Sequence, residues 1–125
     1  MNYTGYDFLK ATEAVENAEY AEYESVLEQR LTSAQRKALP NDAFGLPSKR
    51  KYPLIVKGED GQLEWNHLKD AVAYFHTCKS ESDKRELAEN IAKVIKKYNV
   101  DINISENNKI RRYAKFPAPV KDESK

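Results

Sequence analysis

One cysteine, four glycines and two histidines are all that 125 residues contain of those types, and each shortage removes a class of protein. Cys78 stands alone, so no internal disulfide framework exists, and a lone thiol suits a reducing, cytoplasmic compartment. The glycines, at 5, 45, 58 and 61, are too scattered to cradle a phosphate. His67 and His76 miss the i, i+4 spacing of a helical metal pair, and no second cysteine completes a zinc site beside Cys78. No Gly-rich elbow surrounds Cys78 that would make it a nucleophile with either histidine as base. Apolar runs fall short of the roughly 18–20 residues a membrane span requires. Met1 to Gly5 has neither the basic start nor the apolar stretch of a signal peptide. The expectation is a protein that is not an enzyme, with no cofactor, metal, small-molecule substrate or membrane contact.

What is present is charge, 33% of residues, against a 40% hydrophobic share that allows one economical core. The net charge of +1 conceals a division along the chain. Residues 1–30 carry Asp7, Glu13, Glu16, Glu19, Glu22, Glu24 and Glu28 against Lys10 and Arg30, a balance of −5; the remainder carries +6. Opposite charge at the two ends points to contact with a partner or with another copy.

Hydrophobic period predicts a mainly α fold with a minor β component. A long acidic helix is expected from about Gly5 to Leu31, with Thr4 as its cap, forming an N-terminal arm at 1–31. Its two stripes, Phe8, Ala11, Val15, Ala18 and Tyr20, Tyr23, Leu27, Leu31, are thin, and such a helix lies on its own domain or docks on a neighbouring subunit. A compact unit at 32–116 follows. Thr32-Ser33-Ala34-Gln35 is a capping-box pattern that opens a short helix ending at Leu39-Pro40. Residues from Pro40 to Pro53 read as ordered but irregular. Leu54 to Val56 and Gln62 to Trp65 flank turn residues and predict a short hairpin. Asn66 is expected to cap one helix and Ser80 another, whose stripe is Leu87, Ala88, Ile91, Val94, Ile95 and Tyr98 and whose C-cap is Asn99. Val100, Ile102 and Ile104 alternate as a strand would, with Ile110 to Phe116 pairing back in an extended C-terminal segment. A disordered tail is expected at 117–125.

Two segments interleave basic and aromatic residues: Lys49-Arg50-Lys51-Tyr52, and Lys109 through Arg111, Arg112 and Tyr113 to Phe116. Such interleaving suits an acidic protein partner or a nucleic-acid backbone. The candidate contact residues are Tyr20, Tyr23, Lys49, Arg50, Lys51, Arg111, Arg112, Tyr113 and Phe116, the aromatics serving as anchors. His67, near a helix start, is expected to make a structural hydrogen bond.

The run Phe44-Gly45-Leu46-Pro47-Ser48-Lys49-Arg50-Lys51-Tyr52-Pro53-Leu54 resembles the opening of a small uncharacterised domain common in bacteriophage and prophage proteins. Matching positions continue through His67, Ala71, Tyr74 and Phe75, then Glu86-Leu87-Ala88, Ile91 and Lys97-Tyr98, so that the resemblance covers roughly residues 40–102. The stretch from Ile55 to Trp65 is longer than that pattern has. The resemblance implies a phage or mobile-element setting and assigns no activity, none being established for that domain; the expected location is the cytoplasm, or a virion assembled in the host cytoplasm. The functional expectation is a non-enzymatic protein–protein interaction domain, a phage structural (virion) or accessory protein; the alternative is a nucleic-acid-binding accessory protein using segments 49–52 and 109–116. Within the motif, Gly45 is expected to allow close approach, and Phe44 and Tyr52 to cover the groove between the two later helices.

Overall fold

A computed structural model describes residues 19–58 and 60–118. Most of the expected arm, with its Thr4 cap, and the tail from 119 onward lie outside the described residues. The architecture is mainly α with a minor β component, as expected: four α-helices and two small antiparallel hairpins among the described residues.

The last helix, α4 (Glu81–Tyr98), organises the body. Ser80 caps it by accepting from the Asp83 N–H at 3.3 Å, and Asn99 ends it in the left-handed conformation at φ 53°. Against its buried stripe lies a hairpin that the sequence reading took for irregular chain, β1 (Phe44–Leu46) with β2 (Lys51–Pro53). Phe44 stands opposite Pro53 and Leu46 opposite Lys51, with a 3-10 turn at Pro47–Lys49 between the strands. β1 packs on α4, and β2 packs on α3 (Asn66–Ala73), so the hairpin fills the space between the two helices with Phe44 and Tyr52 buried. Gly45 is where strand and helix approach most closely: a Cβ there would collide with Cδ1 of the buried Leu87.

The acidic helix starts later than its sequence suggests. Glu19 is extended (φ −114°, ψ 168°), and α1 runs Tyr20–Arg30, without a side-chain cap. Its apolar stripe is not an arm's. Tyr23, Leu27 and Leu31 join the main core beside residues of the 32–116 unit. The Tyr23 ring stacks on Tyr52 with centroids 4.9 Å apart, an arrangement worth about 0.5–1.5 kcal/mol beyond its burial. Arg30 reaches Asp70 on α3 at 2.8 Å. The expected capping box then opens α2 (Ser33–Ala38): the Gln35 N–H donates to Thr32 Oγ1 at 3.1 Å, and the Thr32 N–H to Gln35 Oε1 at 2.8 Å.

The second hairpin, β3 (Val56–Lys57) with β4 (Leu63–Glu64), sits where expected but is shorter, turning through Gly61 at φ 82°. Trp65, not Asn66, occupies the cap position of α3, with no side-chain cap bond. Nearly all of α3 is buried, His67, Lys69 and Asp70 included, and it gives way to a 3-10 turn at Phe75–Thr77. The C-terminal strand pair is absent from the described residues. Val100, Ile102 and Ile104 do alternate into the core, but their backbone is part of no sheet. The partner stretch forms a 3-10 turn at Lys109–Arg112, opened by Asn108, whose side chain accepts from the Ile110 N–H at 3.0 Å. Among the described residues no helix is long and apolar enough to cross a membrane.

Candidate interaction surface

Two of the candidate arginines turn inward to the backbone. Arg50, held at φ 51°, donates to the carbonyls of Arg36 at 2.9 Å and Leu39 at 3.1 Å, and to the Asn41 side chain. Its guanidinium also lies over the Phe44 ring at 4.6 Å. It thus staples the C-terminal end of α2, where carbonyls lack helical partners, to the first hairpin. Arg111 does the same for the C-terminal strip, donating to Ile104 and Pro117 carbonyls at 2.7 Å each and to Ser105 at 3.1 Å. That guanidinium supplies donors where a second strand was expected. Both candidate contact residues thus direct guanidinium donors to carbonyls of their own chain.

The aromatic candidates fare similarly. Tyr23 is 1% exposed and belongs to the core, so it cannot anchor a partner. Tyr20 is half-buried between Tyr52 and the Lys51 ammonium, 4.8 Å above its ring, and its hydroxyl bonds Glu24. Tyr113 rests on Phe75 and donates to Glu81 at 2.8 Å. Lys49 pairs with Asp83 at the start of α4. Arg112 is exposed, and Phe116 is half-buried at the edge of a surface hollow. The structure does not bring the nine into one face.

A different surface emerges at the C-terminal half of α4. Along its stripe Leu87, Ala88 and Ile91 are fully buried, Val94 is 9% exposed and Tyr98 37%. The apolar face of the helix therefore runs out beyond the body that covers it. Tyr98 is the exposed large hydrophobic residue of the described chain. It borders a groove of about 720 Å³ floored by Leu31, Leu39, Leu54, Ile55 and Val94. Lys57, Lys93 and Lys97, all exposed, stand on its rim, with Asp42 as the acid among them. Trp65 packs against Tyr98, centroids 5.3 Å apart, and stiffens that wall. On the other side of Lys93 a smaller hollow of about 540 Å³ is lined by Ile95, Val100 and Phe116, with Lys96 and Lys115. The sequence reading assigned Val94 and Tyr98 to a core stripe. The signal it lacked was where the first hairpin stops covering that stripe.

The groups with chemistry are elsewhere. Cys78 lines a third cavity of about 310 Å³ with Tyr52, Thr77 and Lys79. Burial, and secondarily Asp83, pushes its thiol up to about 11, so at neutral pH it stays protonated and is a poor nucleophile. Under α1, burial raises Asp70 to about 6 although Arg30 pulls the other way. Burial, reinforced by Arg30, lowers His67 to about 4. The structural hydrogen bond expected of His67 is not made at Nδ1, which has no partner among the described residues. The three cavities above include neither His67 nor Asp70 in their linings. No group of three or more His, Cys, Asp or Glu among the described residues could hold a metal ion.

No protein-family model, curated protein or solved structure matches this chain. The resemblance across residues 40–102 rests on the motif residues themselves.

Proposed function

We propose that this chain is a non-enzymatic protein–protein interaction domain, a structural (virion) or accessory protein of a phage-type assembly formed in the host cytoplasm. One observation supports the contact reading above the others: the apolar stripe of α4 is progressively uncovered until Tyr98 stands at a lysine-rimmed groove. An uncovered apolar face with a polar rim is the pattern of a docking site. The phage setting draws on the Phe-Gly-Leu-Pro motif, which here forms the central hairpin.

Pairwise co-expression with the products of neighbouring genes tests this reading. The native chain should co-purify with at least one of them, and the Tyr98→Glu variant, still folded, should not. Retention of every partner by that variant, or no partner for either chain, would count against the groove.

The five exposed lysines 57, 93, 96, 97 and 115 about this face favour a second reading, a nucleic-acid contact. The internal use of Arg50 and Arg111 weighs against it, because it removes guanidinium groups from both basic segments. A mobility-shift titration at low salt decides the matter, since backbone contacts are strongest there.

A further inference from the structure

The chemistry of the groove selects what fills it. An apolar floor with Lys57, Lys93 and Lys97 on the rim suits a segment of apolar side chains flanked by acids. Residues 1–18 have that composition. Phe8, Leu9, Ala11 and Val15 stand among Asp7, Glu13 and Glu16, with Lys10 as the opposing base, a balance of −2. Resting on the interaction-domain reading above, we infer that the groove of one copy of this chain holds residues 1–18 of a second copy.

The course of α1 distinguishes a second copy from the chain's own segment. Leu31, just beyond α1, lines the groove, whereas Tyr20, its first residue, lines the cavity beside Thr77 and Cys78. An eleven-residue helix separates those points by about 16 Å, and the chain preceding it leaves from the far end. To reach its own groove the acidic segment would have to return past α1, whose exposed residues include Glu22 and Glu28. Like charges oppose that path. A segment supplied by another copy need not cross α1, and the opposed balances of −5 and +6 in one polypeptide make two copies complementary. Reciprocal exchange closes a dimer with two such contacts.

The test uses the full-length chain, with light scattering for mass and the emission of Trp65, the one tryptophan, for occupancy of the wall it shares with Tyr98. The native chain is expected to gain mass with concentration at low salt and lose it at high salt, with Trp65 emission changing in step. Lys93→Glu with Lys97→Glu should weaken association about tenfold or more, Glu13→Lys with Glu16→Lys should do the same, and mixing the two variants should restore it. Phe8→Asp should abolish the emission change. A strict monomer whose emission is independent of concentration overturns the self-docking, and the co-purification experiment then decides separately whether the groove takes a different protein. A monomer whose Trp65 emission nevertheless shifts with Phe8→Asp places the segment in its own groove and overturns the second copy. Association untouched by the lysine reversals, or lost on nuclease treatment, overturns the inference as well.

Discussion

Arg50 is the residue for which charge and geometry give opposite forecasts. If it were a contact residue, its removal would leave stability unchanged and weaken binding. The geometry predicts the reverse. Arg50→Ala deletes donors to the Arg36 and Leu39 carbonyls and to Asn41, and the cation over Phe44. Those carbonyls regain water, so each bond is worth roughly 0.5–1 kcal/mol and not the full cost of a buried orphan. With about 0.5–1 kcal/mol for the cation–π contact, the loss is about 3 kcal/mol. A domain of this size loses about 10 °C in midpoint for such a change. The backbone supplies an internal control. At φ 51° an alanine is strained and a glycine is not, so Arg50→Gly should be milder than Arg50→Ala by about 1 kcal/mol. Thermal and urea unfolding monitored by circular dichroism give both numbers. A native-like midpoint for Arg50→Ala, or a lower one for Arg50→Gly than for Arg50→Ala, would refute the staple.

The remaining expectations concern the core and the C-terminal strip. Arg111→Ala should lower stability by about 2 kcal/mol and open the chain near Phe116 to limited proteolysis, because it releases the Ile104, Ser105 and Pro117 carbonyls together. Gly45→Ala should cost about 1–3 kcal/mol by crowding Leu87, read as a fall in urea midpoint with unchanged slope. His67 and Asp70 should oppose each other on acidification. Asp70, raised to about 6, adds stability as pH falls from 6 toward 4, while His67, lowered to about 4, loses it from 6.5 toward 4. Each effect is about 3 kcal/mol, so relative to the native chain Asp70→Asn should steepen the acid loss and His67→Gln should lessen it; parallel pH–stability curves would contradict this. Cys78 should react with a thiol reagent at neutral pH only as fast as the fold opens, and rapid labelling of the folded chain would show its burial to be wrong.

The parts legible in the sequence are those that local rules dictate. α4 carries a stripe at helical period, a serine cap and an asparagine stop, and α2 carries its capping box; all of these form as read. The β1–β2 hairpin was hidden for a physical reason. Its strands are three residues each, and it places Arg50, at the end of its turn, and Tyr52, within β2, at positive φ, where a side chain is penalised. Tertiary contacts hold them: carbonyls around Arg50, and the Tyr23 ring and Thr77 hydroxyl around Tyr52. The alternation of Val100, Ile102 and Ile104 correctly reported burial but not pairing, because Arg111 supplies donors to the strip. Charge counted along the chain could not tell a guanidinium facing water from one facing carbonyls, which is why the candidate surface moved from the basic segments to the end of α4.

The burial of α1 carries a consequence for how the chain is made. Arg30 and Asp70 are 40 positions apart, and Tyr23 meets Tyr52 and Tyr74 from a similar distance. On a ribosome α1, uncapped and weakly amphipathic, is synthesised before its partners, which emerge only seconds later at typical elongation rates of about 5–20 residues per second. The first described helix to be translated therefore waits for its seat, and until then Tyr20, Tyr23 and Leu27 are open to whatever the cell offers.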